Sequence, residues 1–129
     1  MKNLLLSILF LVGALSFSAC LDLGSDTSRD VNVIASLTSP SQSYVATSFN
    51  SSGGGAAGWC YVYVNVRKQG ENFNPDSGVV FQTRCEVTPD LKWESDKKLS
   101  IGYPADATVY TQETAWRSGE GIEISYVPK

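Results

Sequence analysis

From Trp59 to Arg67 the chain reads WCYVYVNVR, and its side chains alternate with period two. Successive Cβ atoms of an extended strand point to opposite sides. Cys60, Val62, Val64 and Val66 therefore share one face, and Trp59, Tyr61, Tyr63 and Asn65 share the other. The same period recurs throughout the chain beyond Asp30, and no stretch there sustains the 3.6-residue repeat of an amphipathic helix. VNVIASLT (31–38) sets Val31, Val33, Ala35 and Leu37 against Asn32, Ile34 and Ser36. SPSQ then turns the chain into YVATSF. KQGENFNPDSG (68–78) is rich in turn formers and precedes the strand VVFQTRCEV. LKWES and KLSIGY form a hairpin across Asp96-Lys97. TVYTQETAW and IEISYV form another across Ser118 to Gly121, and Pro128 ends the last strand. The expected fold is all-β, a small antiparallel β-sandwich or partly open barrel of roughly seven or eight strands, with one domain over 31–129.

The cysteines test that pattern. If the strands around 60–66 and 79–85 pair antiparallel, setting Val66 opposite Val79 places Val64 opposite Phe81 and Val62 opposite Thr83. It also places Cys60 opposite Cys85. Directly opposed residues stand about 4.5–5.5 Å apart at Cα, within disulfide range. In an oxidising compartment the pair closes, contributing on the order of 3 kcal/mol. A redox-active role would call for a Cys-x-x-Cys context, which the chain lacks.

The first 20 residues, MKNLLLSILFLVGALSFSAC, have one lysine, an apolar run from Leu4 to Leu15, then small residues and a cysteine. This is a secretory-signal pattern with an apolar core too short to span as a mature anchor. Phe17-Ser18-Ala19-Cys20 resembles the lipobox of bacterial lipoproteins, with phenylalanine where leucine is usual. An ordinary cut after Ala19 would put bulky Phe17 where a small residue is wanted, and a cut after Ser18 would leave Cys20 as a stray thiol. The chain has three cysteines, and lipidating Cys20 leaves two to pair. Residues 1–19 are thus expected to be removed, and 20–30 to form a lipidated tether of at most about 35 Å. Leu21, where an aspartate would resemble an inner-membrane signal, favours the outer membrane. The expected address is the periplasmic face of the envelope, with membrane contact through the lipid on Cys20.

Without Lys2 the chain carries nine basic and thirteen acidic side chains, a net charge of −4. No basic patch stands out, so nucleic acid is not an expected partner. The chain has no histidine, which removes the Ser-His-Asp and Cys-His constellations and the common catalytic zinc sites. Asp90, Glu94, Asp96, Glu113, Glu120 and Glu123 could supply an acid/base pair, but most fall at turns or on polar strand faces. Asn74 to Gly78 offers oxygen ligands without the spacing of a calcium loop, and reads as a turn. No cofactor or metal is expected. The glycine run Gly53 to Gly55 leads into a strand rather than a helix, and no Gly-Lys-Ser/Thr follows, which excludes a phosphate-cradling loop. Trp59, Tyr61 and Tyr63 remain as a candidate ligand platform beside a soft loop. The competing reading is that a crossing loop covers that face.

Two resemblances add to this. SPSQSYVATSF (39–49) is similar to the Ser-Pro-Asp-Gly-x-Tyr-Val-Ala turn of β-propeller blades, with Ser41-Gln42 in place of Asp-Gly; the chain is too short for a propeller. The order of Ser-Pro, Tyr-Val-Ala, GGGAAG, VNVR, VF and LKWESDKKLSIGY resembles a family of small bacterial envelope lipoproteins of unknown function. That resemblance spans roughly residues 38–103 and implies fold and location, with no catalytic residues to carry over. The expected function is a lipid-anchored, non-enzymatic envelope domain that binds another protein or a wall polymer. The alternative is a saccharide- or peptide-binding module using Trp59, Tyr61 and Tyr63.

Overall fold

The computed structural model describes residues 28–117 and 119–129. The signal segment, Cys20 and most of the expected tether lie outside the described residues, as does Ser118 of the last predicted turn. The elements are β1 (Asp30–Thr38), β2 (Tyr44–Gly53), a short 3-10 turn (Gly55–Ala57), β3 (Trp59–Lys68), β4 (Val79–Arg84), β5 (Asp90–Ser95), β6 (Lys98–Tyr103), β7 (Val109–Gln112), β8 (Ala115–Trp116) and β9 (Ile122–Pro128). They form a five-stranded sheet ordered β1-β2-β3-β4-β7 and a four-stranded sheet ordered β5-β6-β9-β8. The all-β sandwich expected from the period-two pattern is the observed fold.

The inner faces close one core. Tyr44, Ala46, Val64, Val66, Val80 and Phe81 of the first sheet meet Leu91, Leu99, Ile101, Trp116, Ile122 and Ile124 of the second. Phe81, Leu99 and Ile101 are fully buried. Burying side chains of this size stabilises by about 1.5–3 kcal/mol each. Tyr126 reaches across, its hydroxyl 2.9 Å from the Val80 carbonyl and 2.5 Å from that of Glu113. Burial pushes its phenol well above the ordinary range, so it stays a neutral donor.

Several departures from strict alternation and pairing shape the two sheets, among them those in β1, in the β3–β4 pair and in the final hairpin. In β1, Val33 pairs with Phe49 but Ala35 with Ser48, so Ile34 is an extra, bulged residue. The bulge splits the set expected on one face: Val31 and Val33 share the outer face with Ser51 and Phe49, while Ala35 and Leu37 lie over the core with Ser48 and Ala46. In the β3–β4 pair, Val62 does oppose Thr83 and Val64 opposes Phe81. Val79, however, pairs with Asn65 rather than Val66, because Val80 is the extra residue. The Val66 amide instead donates to the Gly78 carbonyl at 2.9 Å.

The third departure is the final hairpin. The segment read as one strand, 108–116, divides between the sheets. Glu113 still donates its amide to Val80 in the first sheet, and Thr114 already accepts from Ile124 in the second. The β8–β9 pair is antiparallel as expected, but β9 also lies parallel to β6. The parallel pair follows from the division: β7 joins the other sheet, so the chain returns to β6 from the far side. The remaining pairs are antiparallel.

Candidate functional site

The outer face of the first sheet carries the aromatic stripe read from the sequence. It divides into a covered half and an open half.

The covered half lies under the β3–β4 loop. Asn65 is buried on this face, and its amide nitrogen donates to the carbonyls of Asn74 (3.0 Å) and Ser77 (3.2 Å). Within the loop, the Asp76 amide donates to Asn74 Oδ1 at 2.9 Å and the Ser77 amide to the Asn74 carbonyl at 3.2 Å, the turn expected there. The anchored loop sets Phe73 edge-on to Phe49, with ring centres 5.1 Å apart. Phe49 stacks on Tyr63 at 5.3 Å. Arg29 ion-pairs with Asp76 over the same face, and Arg67 donates to Thr47 Oγ1 at 2.7 Å. Burial raises the Tyr63 phenol above its ordinary value. Tyr63 is thus part of a packed layer.

The open half lies at the disulfide end. Cys60 and Cys85 are bonded, with Cα atoms 5.5 Å apart, as the strand register predicts. Beside them the Trp59 indole lies against the glycine run. A Cβ on Gly53 would stand 3.0 Å from Trp59 Cζ2, and one on Gly54 3.1 Å from Cδ1. Gly53 and Gly54 make room for a flat ring, whereas Gly55 has open space around it and takes a left-handed φ of 58°. The Tyr61 ring lies 6.1 Å from Trp59 at 25° and meets Tyr110 edge-on at 5.4 Å. Tyr110 is the bulged residue of β7, since Gln82 pairs with Thr111 and Thr83 with Val109. The bulge turns Tyr110 onto the outer face and Val109 towards the core. Arg84 donates through Nε to the Tyr110 hydroxyl at 3.2 Å, and that bond raises the arginine above its ordinary value. Trp59 is 39% exposed and Tyr110 48%. These rings, with Arg84, Glu86 and the disulfide, surround a shallow depression of roughly 330 Å³.

Of the three aromatic residues picked from the sequence, the structure brings Trp59 and Tyr61 into this depression and leaves Tyr63 beneath the loop. Tyr110, Arg84 and Glu86 were not among the sequence candidates. Arg84 and Glu86 flank Cys85, and that adjacency was the available signal. Tyr110 depends on a bulge that no period shows.

Four of the acidic side chains considered for catalysis, Asp90, Glu94, Asp96 and Glu120, are engaged elsewhere. Asp90 ion-pairs with Lys129 at 2.7 Å, which lowers its carboxyl. Glu94 lies 3.6 Å from Lys92. Asp96 accepts the Ser41 amide at 2.6 Å and is likewise lowered by it. At the opposite end of the sandwich Glu120 ion-pairs with Lys68 at 2.7 Å and accepts from the Tyr44 hydroxyl at 3.2 Å. Lys97 donates to the Tyr44 hydroxyl and the Glu120 carbonyl, both at 2.8 Å. Lys68 is the main cause of the lowered Glu120 carboxyl. These contacts latch turns to strand ends. Comparison with models of protein families, with curated proteins and with solved structures returns no match.

Proposed function

We propose that this chain is a lipid-anchored, non-enzymatic envelope domain, held through Cys20 at the periplasmic face, at the outer rather than the inner membrane, where it binds another envelope protein or a wall polymer. The observation that carries the reading is the Cys60–Cys85 bond. It uses two of the three cysteines and leaves Cys20, in its lipobox-like run, for the lipid. A bonded pair also accords with an oxidising compartment. The sequence resemblance to envelope lipoproteins supports the same address, and the lack of histidine supports a binding role over a catalytic one.

Intact mass of the chain extracted from producing membranes tests the anchor. The expected mass is that of residues 20–129 with an acylated glyceryl group, less two hydrogens for the disulfide. A mature end elsewhere, or an unmodified Cys20, removes the reading. Crosslinking in whole envelopes tests binding, and failure to return one reproducible protein or polymer counts against it.

A second reading is favoured by the depression at Trp59 and Tyr61, whose ring faces and polar rim suit a saccharide or short peptide. Tryptophan emission titrated with wall saccharides and peptides tests it, and a flat response removes it.

A further inference from the structure

The described chain begins beside the open aromatic half. Asp30 opens β1 opposite Ser52, the residue that also pairs with Cys60. The Ser28 carbonyl oxygen lies 3.3 Å from where a Cβ on Gly53 would stand, and that same position is 3.0 Å from the Trp59 ring. Any anchor upstream of Ser28 therefore pulls on the molecule at the Trp59 end. Seven residues lie between Cys20 and Ser28, eight Cα steps with a reach of at most about 28 Å. The strands β2 and β3 are ten residues each, about 33 Å long. The Trp59 end thus stays within reach of the surface that holds the lipid, whereas the Glu120 latch lies a strand length farther off.

We infer that the Trp59–Tyr61–Tyr110 end docks on the phospholipid headgroup layer of the membrane that anchors the chain. The assignment rests on the lipid-anchor reading and replaces the saccharide reading at the same rings. Its chemistry is that of an interface. Tryptophan and tyrosine carry an apolar ring and one polar group, and they concentrate at the headgroup level of bilayers. Trp59 and Tyr110, two of the five exposed large apolar side chains among the described residues, lie here; Val33 and Ile34 are on β1 and Val127 is on β9. With Nε engaged by Tyr110, the other guanidinium N–H groups of Arg84 remain to meet a phosphate oxygen. Charge does not drive the contact, because Glu86 lies beside Arg84 and Lys129 is paired with Asp90. The lipid instead holds the rings at high effective concentration over the surface, so a weak contact suffices. The glycine bed fixes the indole in advance, which lowers the ordering cost of docking.

The test uses the mature chain extracted from membranes and reconstituted in vesicles of phosphatidylethanolamine with a minor share of phosphatidylglycerol. Bromines on the upper acyl carbons quench tryptophans at the headgroup level. Trp116 is buried and Trp93 is packed against the core, so Trp59 is the one expected to be quenched. Quenching is expected in the native chain, lost in Trp59→Phe, weakened in Tyr110→Ala, and unchanged by salt. Circular dichroism checks that both variants fold. An acylated chain whose emission is the same in brominated and plain vesicles overturns docking while the anchor stands. So does emission that responds to a wall saccharide but not to bromine. An unacylated mass overturns both.

Discussion

Gln42 closes the turn after β1 with a φ of 62°, a left-handed conformation that crowds any Cβ. The propeller-like turn that this segment resembles has glycine at that place. Gln42→Gly is expected to raise stability by about 0.5–1 kcal/mol, the relief of strain exceeding the added chain entropy, as read by urea denaturation. Gly78 is the opposite case. Its φ is 70°, and a Cβ there would stand 2.2 Å from the Val66 carbonyl oxygen. Gly78→Ala is expected to cost about 3 kcal/mol, because the strain adds to a clash with fixed backbone and unseats the loop over Phe49. An equal or higher denaturation midpoint would contradict this. At this scale the sequence was informative where chemistry is local. Cys60 and Cys85 could be paired from alternation alone. Gln42 itself gave no sign of a left-handed φ; the only local hint was the glycine at its place in the turn that the segment resembles.

Elements were legible where each strand keeps its period and obscure where pairing breaks it. The β5–β6 hairpin appeared with its turn in place. The bulges at Ile34, Val80, Tyr110 and, within that same hairpin, Glu94 are properties of two strands read together, so no single strand announces them. The Tyr110 bulge hid half of the candidate site. The division of β7 from β8 was hidden for a similar reason, since a strand that changes sheets keeps its alternation. The latch at Glu120 makes the fold sensitive to acid. Lys68 lowers the Glu120 carboxyl, so the folded state binds its proton less readily than the unfolded chain. The resulting stability is present above the unfolded carboxylate range, near pH 4.3, and is lost as pH falls through the lower folded value. Asp90 and Asp96 share that sign. Melting temperature should therefore fall below about pH 4.5, and Glu120→Gln should lower it at neutral pH and flatten its acid limb. An unchanged acid limb would count against the latch.

For the molecule as a whole, the two sheets are joined through one core, and the disulfide closes the end where the glycine run turns the chain from β2 into β3. The bond spans 25 residues of chain. Replacing both cysteines, Cys60→Ser with Cys85→Ser, is expected to lower stability by about 3 kcal/mol, mainly through the freer unfolded chain. Urea unfolding of the double variant against the oxidised chain measures this, and a difference under about 1 kcal/mol would mean the unfolded chain is compact without it. Sandwich and disulfide both followed from sequence because they depend on period and register. The site did not follow in full, because exposure depends on which half of the stripe the Asn65-anchored loop covers.

The place of β1 has a mechanical consequence. It is an edge strand entered from the Trp59 end and paired with β2 along its length. A pull through the residues before Asp30, with the far end held by a partner, runs along the strand and across hydrogen bonds that lie perpendicular to it. The load falls on the whole β1–β2 ladder in shear and is not concentrated on one bond at a time. Such a strand would let a domain this small act as a strut between a membrane and whatever grips its other end, and single-molecule pulling between the residues before Asp30 and a handle attached at the Glu120 turn would read its strength.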